Sequence, residues 1–123
     1  MFARPRWLML LSAALAIPYG VACLVAPEWW MGVWEIPVAS GALLARMYGG
    51  QVLGFGVLSL LASGLDAGDG LRAILRGFCF VDAVSFGLAL WAVTTGQVGA
   101  SGWIDVAGFF ALSSGFGYYA LRA

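Results

Sequence analysis

The residues with the clearest chemical potential are ionisable groups inside apolar runs. Arg46 stands in the stretch "ARMYGGQVLGFG", and Asp82 and Asp105 stand in later apolar stretches. An ionised group in hydrocarbon is costly, so it faces the protein interior and pairs, and a guanidinium can hold a carboxylate bidentately. The sequence therefore predicts an Arg46–Asp82 ion pair that fixes helix register, with Asp105 or Glu35 as a second contact.

Other polar and aromatic residues are predicted to lie near this pair. Convergent polar groups with aromatic walls are typical of a small-molecule site, in which Asp82 or Glu35 would act as an acid or base. No nucleophile–base arrangement is present, so the catalytic residues are unknown and enzymatic activity stays open. The candidate residues for a polar cluster or ligand site are Arg46, Asp82, Asp105, Gln51, Tyr48, Glu35, Trp34, Trp91 and Trp103.

The composition argues against several other kinds of site. The chain has no histidine, and its two cysteines, Cys23 and Cys79, form no metal-ligand spacing. No metal site and no cofactor are predicted. Six arginines balance six carboxylates without a basic patch, so no nucleic-acid partner is expected.

The overall composition is that of a protein surrounded by lipid. Of the 123 residues, 63% are hydrophobic and 10% are charged. A soluble domain carries roughly 25% charged residues. The charged fraction here is too small to cover a water-facing surface, so the lipid bilayer is the expected surrounding.

Four apolar segments are each long enough for a membrane-spanning helix. The predicted spans cover residues 7–26, 39–64, 71–95 and 103–121, with an outer interfacial loop at 27–38, and they form one domain over 1–123. Arg4 and Arg6 before an apolar run also resemble a signal peptide, but the run continues past Cys23, which favours an uncleaved first span. The predicted fold is an all-α, integral-membrane four-helix bundle.

Arginine placement predicts the orientation of this bundle. Arg4 and Arg6 precede the first span, Arg72 and Arg76 open the third, and Arg122 follows the fourth. The positive-inside rule then places both termini and the middle loop in the cytoplasm. Small residues at i, i+4 spacing let membrane helices approach closely. The residues predicted to pack helices in this way are Gly49, Gly50, Gly54 and Gly115.

Four stretches resemble a group of small four-helix bacterial membrane proteins. They are "LVAPEWW" closing the first span, "ARMYGGQVLGFGVLSLLA" in the second, Asp82 in the third and "GFGYYAL" closing the fourth. They are similar to DoxX-like and related uncharacterised families. The resemblance implies a bacterial inner-membrane protein, and some DoxX-type proteins are subunits of membrane redox complexes, which would imply a partner. The cysteine pattern of a thiol-redox membrane enzyme is absent.

Three classes of function are compatible with these features. The favoured one is a structural or accessory subunit that self-associates or packs on a larger membrane complex. The second is a binding protein or small enzyme for a lipophilic molecule, such as a lipid, a quinone or a hydrophobic metabolite, in an outer-leaflet cleft around Arg46. The third is an oligomeric channel or transporter, although the polar residues do not extend through the whole membrane.

Overall fold

The structure, a computed structural model, describes residues 5–34 and 42–122, and over this part of the chain it contains helices and no strand. An all-helical fold is therefore confirmed. The long helices follow the predicted spans, and a short helix occupies much of the predicted interfacial loop. The helices are α1 (Arg6–Val25), α2 (Pro27–Val33), α3 (Ala42–Ala62), α4 (Asp69–Thr94) and α5 (Gly102–Arg122).

The boundaries follow local chain chemistry. Pro27 lacks the backbone N–H that would continue α1, and it is tolerated at the first position of α2. The turn after α4 uses Gly96, whose φ of +76° is strained for a residue with a side chain. Residues 63–68 join α3 to α4.

Glycines bring α1 and α3 into close contact along their length. A Cβ added at Gly49 would lie 2.5 Å from the Cβ of Cys23, and one at Gly20 would lie 2.6 Å from the backbone nitrogen of Leu53. At Gly56, an added Cβ would lie 2.7 Å from Ile17. The two backbones can approach this closely only because these positions lack side chains.

The second helix pair is formed by α4 and α5. The two pairs meet at the end of the molecule where α1 begins and α5 ends, here called the terminal end. A Cβ on Gly115 of α5 would lie 2.8 Å from a methyl group of Leu8, so α5 also approaches α1 closely there. The opposite end carries α2 and is called the α2 end.

The apolar core lies in the half of the molecule towards the terminal end. Phe116 is fully buried, and the ring of Phe78 lies between it and Phe55, with ring centroids 5.1 Å and 4.5 Å apart. The indole Nε1 of Trp7 donates a hydrogen bond to the Tyr119 hydroxyl at 2.7 Å and so ties α1 to α5. The core residues are Leu8, Met9, Ala62, Leu71, Leu75, Phe78, Phe116, Tyr119 and Ala120.

The outer surface is also rich in large apolar side chains. Two helices, α1 and α4, are long and apolar enough to cross a membrane, judged over the described residues. The side chains of Val25, Phe80 and Leu121 are 76%, 71% and 91% exposed, and each of the long helices carries further exposed leucine, valine or aromatic residues.

Candidate functional site

Asp82 is the buried charged residue of the part of the chain that the structure describes. It follows Phe78 by four residues on α4, so it lies one helical turn beyond the apolar core. Its side chain is 2% exposed, and its Oδ2 atom has no hydrogen-bond partner among the described residues. A buried carboxylate oxygen without a donor is costly, so this position requires a proton, a ligand or a partner group.

An aromatic group closes the α2 end of the helix pair α1–α3. The ring of Tyr19 lies edge-on to Trp30 at 4.8 Å and to Tyr48 at 5.9 Å, and 6.4 Å from Trp34. Edge-to-face rings at these distances attract each other beyond the area that they bury. Because Trp30 and Trp34 belong to the region of α2, these ring contacts anchor α2 on the two longer helices.

This aromatic group and the acidic residues are close enough to interact. Asp105 lies within electrostatic range of Tyr19 and Tyr48, and Asp82 lies within range of Tyr48. Tyr48 on α3 is therefore the tyrosine that lies within range of both carboxylates. Ser101 also donates a hydrogen bond from Oγ to the Val33 carbonyl at 3.4 Å, which holds the start of α5 beside α2.

One deeply buried indole nitrogen in this region is without an acceptor. Trp34 is 8% exposed, and its Nε1 atom has no hydrogen-bond partner in the part of the chain that the structure describes. With Asp82 Oδ2, this part of the molecule thus contains one unused donor and one unused acceptor. A polar group that reached either atom would satisfy it. The described residues contain no group of three or more metal-ligating side chains.

The structure does not form the predicted Arg46–Asp82 pair. Arg46 is exposed, Asp82 is buried, and no hydrogen bond or ion pair between these two described residues is present. The physical reason is the rotation of α3. Gly49 and Gly56 must face α1 for the close approach of the two backbones, which turns Arg46 towards the outside.

Several other predicted residues share the outer face of α3. Gln51, Gly50 and Gly54 are exposed, and nothing lies within 4 Å of a Cβ added at either glycine. Gly49 and Gly115 lie at helix contacts, but Gly50 and Gly54 do not contact another described helix.

Trp91 and Trp103 make no ring contact with the Tyr19 group in the described part of the chain. Trp91 and Trp103 are 59% and 50% exposed near the α2 ends of α4 and α5. Such a position suits an aromatic belt at a membrane boundary better than the wall of a cleft. Glu35 lies outside the described residues.

The sequence interpretation missed Tyr19, Trp30 and the α1 side of the helix contact. Ala16 and Gly20 in α1 have the i, i+4 spacing of small residues, which is the signal that indicates a close contact with α3. Tyr19 follows Pro18 in an otherwise apolar helix, and nothing in its local spacing marks it as the centre of a ring cluster.

Comparison of the chain with protein-family models, with curated proteins and with solved structures finds no match. The resemblance to DoxX-like proteins therefore stays a prediction from short sequence stretches.

Proposed function

We propose that the chain is a multi-pass protein of a bacterial inner membrane with both termini in the cytoplasm. Two long apolar helices, the apolar outer surface and the low charge content support this placement. Helices α3 and α5 have 21 residues each, or about 31 Å, which matches a hydrocarbon core of about 30 Å. Arg72, Arg76 and Arg122 then lie on the cytoplasmic side, as the positive-inside rule requires.

Within that membrane, we propose that the protein is an accessory subunit that associates through the outer face of α3. This face, called the α3 face, consists of Arg46, Met47, Gly50, Gln51, Gly54, Val57, Leu58 and Leu61, all of which are exposed. At about 3.6 residues per turn, these positions fall within an arc of about 140°. One helix surface therefore combines a cation, an amide and two glycines.

The exposure of Arg46 and Gln51 carries the proposal. Arg46 lies four residues into α3, roughly 6 Å along the helix from Ala42. Polar side chains within a span are costly when they face lipid tails and are usually covered by protein. Gly50 and Gly54 provide a flat surface on which another helix can approach at short range, as small-residue patterns do in membrane proteins.

The charge of the α3 face constrains the neighbour. A symmetric dimer centred on this face would place two Arg46 guanidinium groups at the same depth, where they repel each other. A neighbour that offers a carboxylate near this depth is electrostatically favourable. A larger membrane protein fits this requirement, and so does a second copy in a head-to-tail arrangement, which places a carboxylate of the next copy, and not a second guanidinium, opposite Arg46.

The test is the assembly state of the protein extracted from its own membrane in mild detergent. Native mass spectrometry of the wild type should detect further copies or a co-purifying protein. Gly54→Leu should abolish the association, because the new side chain occupies the flat surface. Gly87→Leu on α4 is the matched control, since Gly87 also has open space around it. A wild-type protein that is monomeric and free of other proteins would refute the proposal.

A second candidate function is the binding of a lipophilic molecule in the α2 half of the molecule. The unpartnered atoms Asp82 Oδ2 and Trp34 Nε1 favour it, because a bound polar group would satisfy them. Extraction of the purified protein with organic solvent, followed by mass spectrometry, should then recover one compound that is lost in Asp82→Leu. A loss of the compound in the control Asp66→Leu as well, or no compound in the wild type, would count against this function.

A further inference from the structure

A groove runs between α4 and α5 on the surface of the second helix pair. It has a volume of about 460 Å³ and is open to the outside. The exposed area of its lining is mainly apolar. Its lining residues include Cys79, Ala83 and Phe86 from α4 and Phe110, Gly117 and Tyr118 from α5. This volume is in the range of small-molecule sites, about 300–1,000 Å³.

Small residues form the floor of this groove, and the Ser113 hydroxyl among them is used internally. A Cβ on Gly117 would lie 3.2 Å from the Cys79 sulfur, so a larger residue there would begin to fill the floor. The Ser113 hydroxyl donates a hydrogen bond to the Cys79 carbonyl at 3.0 Å. The surface presented to an occupant is therefore suited to a hydrocarbon chain.

The two ends of the groove differ in chemistry. At the far end, the rings of Phe86 and Phe110 lie 5.6 Å apart. At the terminal end, the Arg122 guanidinium lies over the Tyr118 ring at 4.9 Å. Arg76 precedes Cys79 by three residues and Ala83 by seven, so it lies on the same face of α4 as these two residues. Its side chain is exposed, and it lies towards the terminal end of the groove. An apolar channel thus leads to two cationic groups.

The length of the groove matches one leaflet of a bilayer. Phe110 and Arg122 are twelve residues apart on α5, which corresponds to about 18 Å along the helix. Half of the hydrocarbon core measures about 15 Å. With the orientation proposed above, Arg122 and Arg76 reach the headgroup level of the cytoplasmic leaflet, and the phenylalanines lie near the bilayer centre.

We propose that this groove binds an anionic phospholipid of the cytoplasmic leaflet. One acyl chain lies along Gly117 and Ala83, and Arg122 with Arg76 binds the phosphate. Guanidinium groups bind phosphate bidentately, and basic pockets between membrane helices on the cytoplasmic side are suited to lipid headgroups. The proposal rests on the membrane orientation of the proposed function but not on the α3 face.

The experiment is native mass spectrometry of the detergent-solubilised protein with added phosphatidylglycerol or with phosphatidylcholine of identical acyl chains. The wild type should retain phosphatidylglycerol in preference, by roughly tenfold or more, since two arginines attract the anionic headgroup. Arg122→Gln should remove most of this preference. Arg6→Gln, which removes the same charge from α1, should leave it unchanged.

A second variant tests the acyl-chain position independently of charge. Ala83 is exposed in the groove, so Ala83→Phe fills the channel without entering the core, and it should reduce the retention of both lipids. Equal retention of the two lipids by the wild type, or full retention by Ala83→Phe, would overturn the proposal. If a protein co-purifies with the wild type and is lost in Ala83→Phe, the groove binds a helix of that protein and the lipid proposal is overturned.

The same spectra separate this proposal from the proposed function. Loss of association in Gly54→Leu with lipid preference intact would support both proposals. Association through the α3 face without any lipid preference would reject only the proposal that the groove binds an anionic phospholipid. Lipid preference in a monomeric wild type would reject the accessory-subunit function alone. Recovery of the protein in the soluble fraction of lysed cells without detergent would reject both.

Discussion

At the scale of single residues, Gly49 and Gly50 are neighbours in sequence but lie in opposite surroundings. The position of a Cβ at Gly49 is blocked by Cys23 and by the Gly20 carbonyl oxygen, at 2.5 Å and 2.9 Å. The same position at Gly50 is open. The pair therefore separates the effect of the α1–α3 contact from the effect of glycine in a helix.

We expect Gly49→Ala to destabilise the protein and Gly50→Ala to leave its stability intact. Overpacking at Gly49 should lower the free energy of unfolding in detergent by about 1–3 kcal/mol. Gly50→Ala should change it by no more than a gain of about 1 kcal/mol, the difference in helix propensity. Reversible unfolding followed by circular dichroism measures both values. Equal losses in the two variants would show that α1 does not lie against Gly49.

At the scale of helices, two pairs share one apolar core near the terminal end. Phe116 of α5 is fully buried beside Phe78 of α4, and Leu8 of α1 belongs to the same core. The α2 half instead holds Asp82 and the tyrosines of α1 and α3. Packing in the terminal half therefore carries most of the contact between the pairs.

Phe116→Ala should be much more destabilising than Phe80→Ala. In soluble cores such a truncation costs about 3–5 kcal/mol, and in a membrane the share due to transfer is smaller because lipid is as apolar as the side chain. We expect a loss of about 2–3 kcal/mol for Phe116→Ala, mainly from the cavity. Phe80 is 71% exposed, and its truncation should stay within about 0.5 kcal/mol. Chemical unfolding in mixed micelles provides the comparison, and similar values for both variants would contradict the packing described.

The sequence allowed the long helices to be predicted because their ends carry strong local signals. Pro27 ends the first, and the turn residues at 66–70 and 96–102 separate the others. The predicted burial of Asp82 also agrees with its position, since a carboxylate in an apolar helix faces inward. Local signals do not give the rotation of a helix about its axis.

That rotation is the reason why the Arg46–Asp82 prediction differs from the structure. Two faces of α3 carry pairs of small residues: Gly49 with Gly56 on one face, and Gly50 with Gly54 on another. Which face meets α1 depends on the complementary surface of Ala16 and Gly20, a long-range property. The contact between Tyr19 and Tyr48 depends on the same rotation of α3. The sequence of α3 alone therefore predicts neither this contact nor the outward position of Arg46.

At the scale of the whole molecule, the proposed orientation places the α3–α4 turn in the cytoplasm and the α4–α5 turn outside. Asp66 is exposed in the α3–α4 turn, and Gln97 is exposed in the α4–α5 turn. Each can be replaced by cysteine as Asp66→Cys or Gln97→Cys. A membrane-impermeant maleimide should label Gln97→Cys in intact inner-membrane spheroplasts and Asp66→Cys only after lysis. The wild type, with Cys23 buried and Cys79 half-buried, gives the background. The reverse labelling pattern would invert the orientation.

The accessory-subunit function depends most directly on what touches the α3 face in the native membrane. A photo-crosslinking amino acid at Leu58, on the α3 face, should form adducts with a protein, either a second copy or a larger subunit. The same group at Leu88 of α4, which is 63% exposed, should form adducts with lipid alone. Lipid adducts alone at both positions would contradict the account, because Arg46 and Gln51 would then face the bilayer without a protein neighbour.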